Sequence, residues 1–475
     1  MQSVKHPEPI SAPVPVANRP LTTALTKARD RRQRTLLPDG SNPCITPSIP
    51  IQEAPALSQS EPKLETEKPV DASRNAYRWV MLAGVWLIYC SFGVTVASIA
   101  PLVPEISRDL DMSYGAMGIV LGAWPFVYIG ASLPCGMLLD RIGPAKGLFL
   151  AALIMALSGG LRGFAQGDIT LILAVAVFGL GGPMISIGAP KLIALLFEGR
   201  DRGLAMGIYI TGPGMGGVAS MALTNSVMMP ALGHDWRLVV TAYAGFTILS
   251  GLIWLLISLH PSARALEARL AAEPRGAILD TFRRLAAIPT VRIVLIMSIG
   301  IFFFNHGLNN WLPELLRSKD LDIATAGFWA AIPTGVSVLA ALTIPRLATP
   351  ERRLKVFALL ILGAAVTTAL LHLQPGPALG IGLILQGLAR GAMMTVALLM
   401  LVEVPGVGAK RAGTAGGLFF TAAEIGGVSG PLVIGLLHDA TGGFTAALIM
   451  LSVICAALLG MLLILRQSME RDATR

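Results

Sequence analysis

Residues 136–146 read Gly-Met-Leu-Leu-Asp-Arg-Ile-Gly-Pro-Ala-Lys, and this charged turn stands between two long apolar runs. The runs cover approximately 114–138 and 146–165. A bilayer core about 30 Å thick needs about 20 apolar residues at a rise of about 1.5 Å per residue, so each run is long enough to cross a membrane as a helix. The quoted stretch therefore predicts two spanning helices joined by a short polar loop.

Apolar runs of this length recur on both sides of the quoted stretch. Of the 475 residues, 54% are hydrophobic and only 14% are charged, which excludes an ordinary soluble globular protein. The sequence predicts an all-α membrane protein with twelve transmembrane helices. The twelve runs lie at approximately 78–102, 114–138, 146–165, 169–190, 204–228, 238–259, 292–316, 324–345, 354–372, 377–402, 412–437 and 444–465.

A longer and strongly charged stretch interrupts the series midway and predicts a linker between two six-helix halves. The N-terminal stretch is rich in Pro, Ser, Glu and Lys and lacks the apolar core of a signal peptide, so we expect a disordered cytoplasmic tail. The predicted organisation is a tail at 1–76, a first half at 77–260, a cytoplasmic linker at 261–291, a second half at 292–466 and a cytoplasmic C-terminal tail at 467–475.

The two predicted halves repeat one another. Six residues of the fifth run recur in the eleventh run at a constant offset of 210 positions. Pro104-Glu105 after the first run likewise recurs as Pro313-Glu314 after the seventh. Such duplication is typical of transporters. The six matches pair Ala205 with Ala415, Gly207 with Gly417, Thr211 with Thr421, Gly216 with Gly426, Gly217 with Gly427 and Val218 with Val428.

The basic residues are distributed unevenly between the predicted loops. With the N-terminus placed inside, five of the 37 basic residues fall in outer loops, and nearly all the others fall on the inner side. This asymmetry predicts a multi-pass protein of the bacterial inner membrane with both termini in the cytoplasm. It also accounts for the net charge of +9 without nucleic acid as a partner. The four cysteines have neither disulfide nor metal-site spacing, so we expect no metal and no cofactor.

The quoted stretch resembles the signature loop of the major facilitator superfamily, G-x-x-x-D-R-x-G followed by basic residues, in sequence, position and side of the membrane. The resemblance extends over about 77–466 and implies the facilitator fold, a transporter built from two six-helix halves. Pro144 and Ala145 stand where a basic residue is often found, which leaves Lys146 as the only trailing charge. The segment at 305–314, Asn-His-Gly-Leu-Asn-Asn-Trp-Leu-Pro-Glu, is similar to the cyanate and nitroimidazole permease branch.

The resemblance gives the residues of the signature loop a part in gating. Gly136 is expected to let neighbouring helices approach, and Gly143 to permit a tight turn. Asp140 is expected to face the positive end of another helix, which by resemblance is the eleventh span. Arg141 and Lys146 complete the gating motif. The counterpart in the second half is basic but lacks the D-R-x-G core.

Two ionisable residues lie near the middle of predicted spans, where a charge costs at least about 2.5–3.5 kcal/mol. Arg390 lies in the tenth run, with Gln386 one turn away on the same face. Its planar guanidinium suits a carboxylate or another oxyanion of the substrate. Glu424 in the eleventh run can carry a coupling proton or can neutralise Arg390, and the sequence leaves both readings open.

The seventh run carries a polar strip, with Asn305 and Asn309 on one face and His306 and Asn310 on the next. Neutral donors and acceptors in this arrangement suit a small polar solute. His306 can titrate near neutral pH and is a second candidate for proton coupling, although a membrane histidine is commonly a packing residue. Tyr89 in the first run is either a cavity residue or an ordinary packing residue.

The sequence holds no nucleotide-binding loop and no catalytic triad, so we expect a secondary transporter and not an enzyme. The favoured hypothesis is transport of a small organic or inorganic anion by a monomer, through alternating access, coupled to protons or another ion. Efflux of drug-like or metabolite compounds is the alternative if Arg390 pairs with Glu424 and Phe302, Phe303 and Phe304 line the cavity. A non-transporting receptor or scaffold that signals through the tail is a further alternative.

Overall fold

The chain is almost entirely helical in a computed structural model. The structure describes residues 72–261, 278–404 and 406–473, and it describes no side chains at 72–75, 199–200, 278–282, 408–413 and 471–473. Residues 1–71 of the predicted tail, with Cys44, and 262–277 of the predicted linker lie outside the described residues, while 72–76 of the predicted tail already belong to the first helix. Within the described ranges no strand occurs, which agrees with the predicted all-α class.

Fourteen helices longer than one turn follow one another along the described residues. They are α1 Ala72–Ala97, α2 Val103–Asp109, α3 Tyr114–Ile142, α4 Pro144–Gly163, α5 Asp168–Leu196, α6 Gly199–Leu223, α7 Trp236–Ser258, α8 Ile278–Ala287, α9 Pro289–Arg317, α10 Ile323–Leu347, α11 Arg353–Leu370, α12 Pro377–Glu403, α13 Gly408–Thr441 and α14 Thr445–Ala473. A 3-10 turn at Ala100–Leu102 precedes α2, and a π-helical turn at Thr224–Met228 follows α6.

The helices have the length and composition of membrane spans. Eleven of them, among the described residues, are long and apolar enough to cross a bilayer, with α1 and α2 counted as one span. The helix α6 is 25 residues long but glycine-rich, and it falls outside that set. It packs between α1 and α10, so we assign it as the fifth of the twelve predicted spans. Large apolar side chains such as Phe126, Leu256 and Leu359 point outward, as expected for surfaces that face lipid.

The sequence repeat appears as a repeated packing contact. A Cβ atom added at Gly216 of α6 would lie 2.8 Å from the backbone nitrogen of Val94 in α1. A Cβ atom added at Gly426 of α13 would lie 2.7 Å from the backbone nitrogen of Phe303 in α9. Because only glycine allows backbones to approach this closely, the two matched glycines fix equivalent helix pairs in the two halves.

The first span is broken and the seventh is not. The helix α1 ends at Ala97, where Pro101 and Pro104 follow and cannot donate backbone hydrogen bonds to the preceding turn. The guanidinium of Arg162 in α4 donates to the carbonyl oxygen of Thr95 at 2.8 Å and so satisfies a backbone group at the break. The helix α9 contains Pro313 but continues to Arg317.

Candidate functional site

Arg390 lies inside the second half of the bundle. Its Nη1 donates hydrogen bonds to Oδ1 of Asn309 in α9 and, at 2.8 Å, to Oγ1 of Thr334 in α10. These bonds aim the guanidinium from α12 toward the two neighbouring helices. Arg390 nevertheless keeps partial exposure. The arrangement is a cation at mid-span held by neutral partners.

The structure does not pair Arg390 with Glu424. Among the residues that the structure describes, neither side chain forms an ion pair. Glu424 is only 4% exposed, and its Oε2 accepts no hydrogen bond from any described residue. The ion pair of Arg390 with Glu424 that the sequence left open is therefore not formed in this conformation, and the contact of Arg390 with a substrate stays a prediction.

Glu424 lies beside His306. Oε2 of Glu424 and Nδ1 of His306 both lie against Gly427, which follows Glu424 by one turn in α13, and the histidine nitrogen is 3.1 Å from the position of an added Cβ atom. Any side chain at position 427 would therefore displace one of the two groups. His306 also stacks on Phe302, with ring centroids 5.2 Å apart, and it lies near enough to Arg390 for electrostatic interaction.

The remaining polar residues of this site lie on helices α9 and α12. Gln386 is 1% exposed, and its Oε1 accepts no hydrogen bond from the described residues; the same holds for Oδ1 of Asn305. Asn310 donates to the backbone oxygen of His306 at 2.9 Å, which ties it to its own helix. Thus the structure joins Arg390 to Asn309, and Asn305 and Gln386 each lie one helical turn from one of these two residues, whereas Asn310 is engaged in a local bond.

Tyr89 belongs to an aromatic group in the first half. Its ring is stacked on that of Tyr209, with centroids 5.6 Å apart and planes inclined by 10°. Ser186 of α5 lies close to the hydroxyls of both Tyr89 and Tyr128. Trp124 connects this group to the second half, because its ring centroid is 5.6 Å from that of His306. Tyr89 therefore lies across the bundle from the polar group and does not join it directly.

The signature loop joins α3 to α4 in a tight turn. Gly143 has a φ of 84°, in the left-handed region where glycine is favoured. Asp140 accepts a hydrogen bond from Lys191 of α5 at 2.8 Å, while Arg141 and Lys146 are exposed. The expected contact of Asp140 with the start of α13 involves side chains outside the described residues, so it stays a prediction.

Gly136 differs from the expectation for this loop. A Cβ atom added there would meet only Cδ1 of Ile187, at the ordinary contact distance of 3.9 Å. Gly136 therefore does not mark a close helix approach in this conformation. Close approaches of α3 occur at its other end, where an added Cβ at Gly118 would lie 2.7 Å from the carbonyl oxygen of Pro431 in α13.

That other end of the bundle, where α3 begins and α9 and α13 end, is called the Tyr114 end. The Tyr114 hydroxyl donates to Oε1 of Glu314 at 2.6 Å, and Glu314 accepts two further hydrogen bonds from Arg317 at 2.7 and 2.8 Å. Asp439 of α13 accepts from the backbone nitrogens of Tyr114 at 3.0 Å and Gly115 at 2.7 Å, and so caps α3. These contacts hold the two halves together at the Tyr114 end.

The family model described as Major Facilitator Superfamily matches residues 85–383. The chain belongs to this superfamily. The match covers more than half of the chain and includes the signature loop, so the predicted superfamily is confirmed, and with it the assignment as a transporter and not an enzyme. The narrower assignment to the cyanate and nitroimidazole permease branch stays a prediction.

Known facilitators are similar to this one over most of its length. The probable galactarate/D-glucarate transporter GudP of Bacillus subtilis is 25% identical over 413 residues, which cover 79% of this chain and 89% of GudP. The probable nitrate transporter NarT of Staphylococcus epidermidis is 26% identical over 361 residues, which cover 75% of this chain and 88% of NarT.

A solved structure shows the same fold. The crystal structure of a bacterial homolog of the human lysosomal transporter Spinster, in an inward-facing and unoccupied conformation, matches with a TM-score of 0.67 at 18% identity. The match covers 83% of this chain and 98% of that one. The predicted facilitator fold of two six-helix halves is thereby confirmed.

Several residues of this facilitator were missed by the sequence interpretation. Thr334, which accepts a hydrogen bond from Arg390, could not be singled out from the sequence because threonine is common in apolar spans. The residues of the Tyr114 end could have been predicted from a longer repeat. The repeated Pro-Glu pair extends to Pro104-Glu-Ile-Ser-Arg108 and Pro313-Glu-Leu-Leu-Arg317. The second copy supplies Glu314 and Arg317, both of which act at that end.

Proposed function

We propose that this facilitator moves a small organic or inorganic anion across the bacterial inner membrane by alternating access, with Arg390 as the cation that binds it. The observation that carries the proposal is the state of Arg390 itself. It lies at mid-span, it is partly exposed, and its partners Asn309 and Thr334 are neutral. Neutral partners orient a guanidinium without cancelling its charge, so an anion that enters gains the full interaction.

The names of the relatives support an anionic substrate. GudP is named for galactarate and D-glucarate, which are dicarboxylates, and NarT is named for nitrate. The shared chemistry is a planar oxyanion group of one negative charge. A guanidinium matches such a group with two parallel N–H bonds, which an ammonium cannot reproduce.

Alternating access requires that one end of the bundle open while the other closes. The contacts of Tyr114 with Glu314 and Asp439 close the Tyr114 end in this conformation. We infer that these contacts break when the protein passes to the other state. The Asp140–Lys191 pair at the signature loop lies at the opposite end and is the counterpart that we expect to change with it.

Glu424 and His306 are the groups that we propose for proton coupling. They lie side by side at Gly427, and Glu424 is buried without a partner among the described residues, so its charge must be answered by a proton or by a rearrangement. A group that gains and loses a proton beside an anion site links the proton gradient to substrate movement. Gln386, Asn305 and Asn309 complete the proposed binding site.

One experiment tests both the site and the coupling. Purified protein in proteoliposomes is assayed for binding and uptake of nitrate and D-glucarate, with and without an inward-directed proton gradient. We expect Arg390→Ala to weaken binding at least roughly 30-fold, because truncating one partner of a buried charge pair costs that much or more. We expect Glu424→Gln to keep binding and exchange but to lose gradient-driven accumulation.

Arg283→Ala is the matched control, since it removes an exposed arginine of α8. It should leave binding and uptake as they are. Full anion binding by a well-folded Arg390→Ala protein would refute the anion site. Accumulation by Glu424→Gln at the wild-type level would refute the coupling role and leave the anion site standing.

The proposed orientation places both termini in the cytoplasm and is tested at Cys44. An impermeant thiol reagent should fail to label Cys44 in intact cells and should label it after permeabilisation, since the tail precedes the first span. Cys44→Ser is the control, because Cys90, Cys135 and Cys455 lie within helices and are at least partly buried. Labelling of Cys44 in intact cells would reverse the orientation.

No observation favours the alternative of drug-like efflux. That alternative required an Arg390–Glu424 pair, which does not occur among the described ion pairs, and a cavity lined by phenylalanines, whereas Phe304 is fully buried in the core and Phe302 is nearly so. The receptor or scaffold hypothesis depends on the N-terminal tail, which lies outside the described residues.

A further inference from the structure

We infer that the transported anion carries hydroxyl or amino groups, so that it donates hydrogen bonds as well as accepting them. The inference rests on the proposed anion site at Arg390 and specifies its substrate class. Hydroxy acids and amino acids have this chemistry, whereas nitrate and unsubstituted carboxylates do not, because at neutral pH they offer acceptors alone.

Three polar side chains in the second half carry acceptor oxygens that bear on the substrate. Oε1 of Gln386, Oδ1 of Asn305 and Oε2 of Glu424 are each buried, and none accepts a hydrogen bond from a described residue. They come from three different helices, α12, α9 and α13. A buried polar group without a partner costs about 1–3 kcal/mol, so three such groups on one side of a binding site are a feature to be explained by what occupies it.

Each of the three acceptors is related to Arg390 through its position on a helix or through His306. Gln386 precedes Arg390 by one helical turn, and Asn305 precedes Asn309, which Arg390 binds, by one turn of α9. Glu424 shares the Gly427 surface with His306, the neighbour of Asn305 in the sequence. Gln386 and Asn305 thus lie one turn from the two residues of the Arg390–Asn309 bond, and Glu424 adjoins His306, which lies near enough to Arg390 for electrostatic interaction.

The hydrogen-bond donors and acceptors of the site have to match those of a bound anion. An amide group can present either its oxygen or its NH₂ to a ligand, but Glu424 has only oxygens, and in either protonation state it offers at least one acceptor. Arg390 supplies the donors for an anionic group. An acceptor-only anion would accept hydrogen bonds from Arg390 but would leave the three oxygens without donors. A hydroxylated anion accepts from Arg390 and also donates to these oxygens.

Water can donate to these oxygens before a ligand binds. A ligand that displaces this water without replacing its hydrogen bonds loses affinity, and a ligand whose hydroxyls replace them does not. Sites built to bond a substrate hydroxyl therefore discriminate strongly against the analogue that lacks it. This difference is the measurable consequence of the inference.

The experiment compares matched anions that differ only in hydroxyl groups. Equilibrium binding to the purified full-length protein is measured for lactate and propionate, tartrate and succinate, and D-glucarate and adipate, with nitrate as an acceptor-only probe. We expect the hydroxylated member of at least one pair to bind roughly tenfold tighter or more than its partner. Equal binding in every pair, or binding of nitrate alone, would overturn the inference.

Two variants assign the preference to the acceptors. Gln386→Leu and Asn305→Leu remove an acceptor at nearly constant volume, and each should bring the ratio within the best pair toward one while leaving the hydroxyl-free member bound. Gln374→Leu, at an exposed position between α11 and α12, is the matched control and should keep the wild-type ratio. An unchanged ratio in both site variants would contradict the assignment and so the inference.

The outcomes also separate this inference from the proposed function. Binding of both members of a pair with equal affinity, abolished by Arg390→Ala, overturns the hydroxyl preference and leaves the anion site in place. Binding that Arg390→Ala does not weaken, or no binding of any anion in the panel, overturns the anion site and the preference together.

Discussion

Arg162 in the first half and Arg390 in the second half both lie inside the bundle without an ion pair among the described residues, and their surroundings differ. Arg162 in α4 is 2% exposed, donates to the Thr95 carbonyl at 2.8 Å and to Oγ of Ser98 at 3.0 Å, and lies over the ring of Phe178. Arg390 in α12 is partly exposed and donates to side chains of α9 and α10. Neither forms an ion pair with a residue in the described ranges.

The difference teaches how one cation can hold a helix in place in one half while the other is, in the proposed function, the binding group for an anion. Arg162 bonds a backbone carbonyl that the break in α1 leaves free, so its charge is used to hold a helix in place. Arg390 bonds no backbone group among the described residues, and the unpartnered oxygens of Gln386 and Asn305 lie on the helices beside it. The first arrangement spends its donors on the protein itself, and the second leaves the charge beside neutral partners.

The largest predicted effect comes from exchanging the two arginines for alanine. Arg162→Ala removes one of the two donors to the Thr95 carbonyl, the other being the Ser98 hydroxyl, together with a fully packed side chain, and we expect it to cost about 3 kcal/mol of stability. Arg390→Ala removes a buried charge held by neutral partners, and relief of its desolvation should offset most of the lost bonds. Thermal unfolding of the two detergent-purified variants measures the contrast.

The same pair of variants can break the comparison. If Arg390→Ala unfolds at a lower temperature than Arg162→Ala, then Arg390 is the structural cation, and the functional distinction between the halves is lost. Arg352→Ala, at an exposed position before α11, controls for the loss of an arginine as such. Its unfolding temperature should match that of the wild-type protein.

The fold could be predicted from the sequence because its signals are local. Apolar runs of span length and a charged loop at 136–146 each depend on neighbouring residues only, and the repeat that pairs Gly216 with Gly426 is visible in the sequence as a fixed offset. The fifth span, α6, shows the limit of hydropathy alone, since its glycines make it less apolar than the others while they let it approach α1.

The site could be predicted only in part because its geometry depends on how helices face one another. Arg390, Gln386 and Glu424 stood out as polar residues in apolar runs, but whether Arg390 met Glu424 depended on the rotation of α12 and α13, which periodicity does not give. Arg162 lies near the end of its run, where a cation commonly reaches water. Its inward direction follows from the break in α1, a tertiary feature.

A second contrast between the halves lies in the repeated Pro-Glu-x-x-Arg segments. In the second half, Glu314 is 2% exposed and accepts hydrogen bonds from Arg317 and from Tyr114 of the first half. In the first half, Oε2 of Glu105 is buried and accepts no hydrogen bond from any described residue. The second copy therefore joins the halves by hydrogen bonds at the Tyr114 end, whereas Glu105 of the first copy lies near enough to Arg317 and Glu314 only for electrostatic interaction.

The smallest predicted effect tests this contact between the halves. Tyr114→Phe keeps the ring that stacks on His438 and removes only the hydroxyl bonded to Glu314, so we expect it to destabilise the closed Tyr114 end by about 1 kcal/mol. That change raises the population open at this end roughly fivefold. Spin labels at Gln166→Cys and Thr441→Cys, in a protein without its native cysteines, measure the distance across this end by electron paramagnetic resonance, and the longer distances should gain population.

Tyr243→Phe is the matched control, because the Tyr243 hydroxyl bonds Thr224 within the first half and does not bridge the halves. An unchanged distance distribution in Tyr114→Phe, or an equal shift in Tyr243→Phe, would mean that the Tyr114–Glu314 bond does not hold the two halves together.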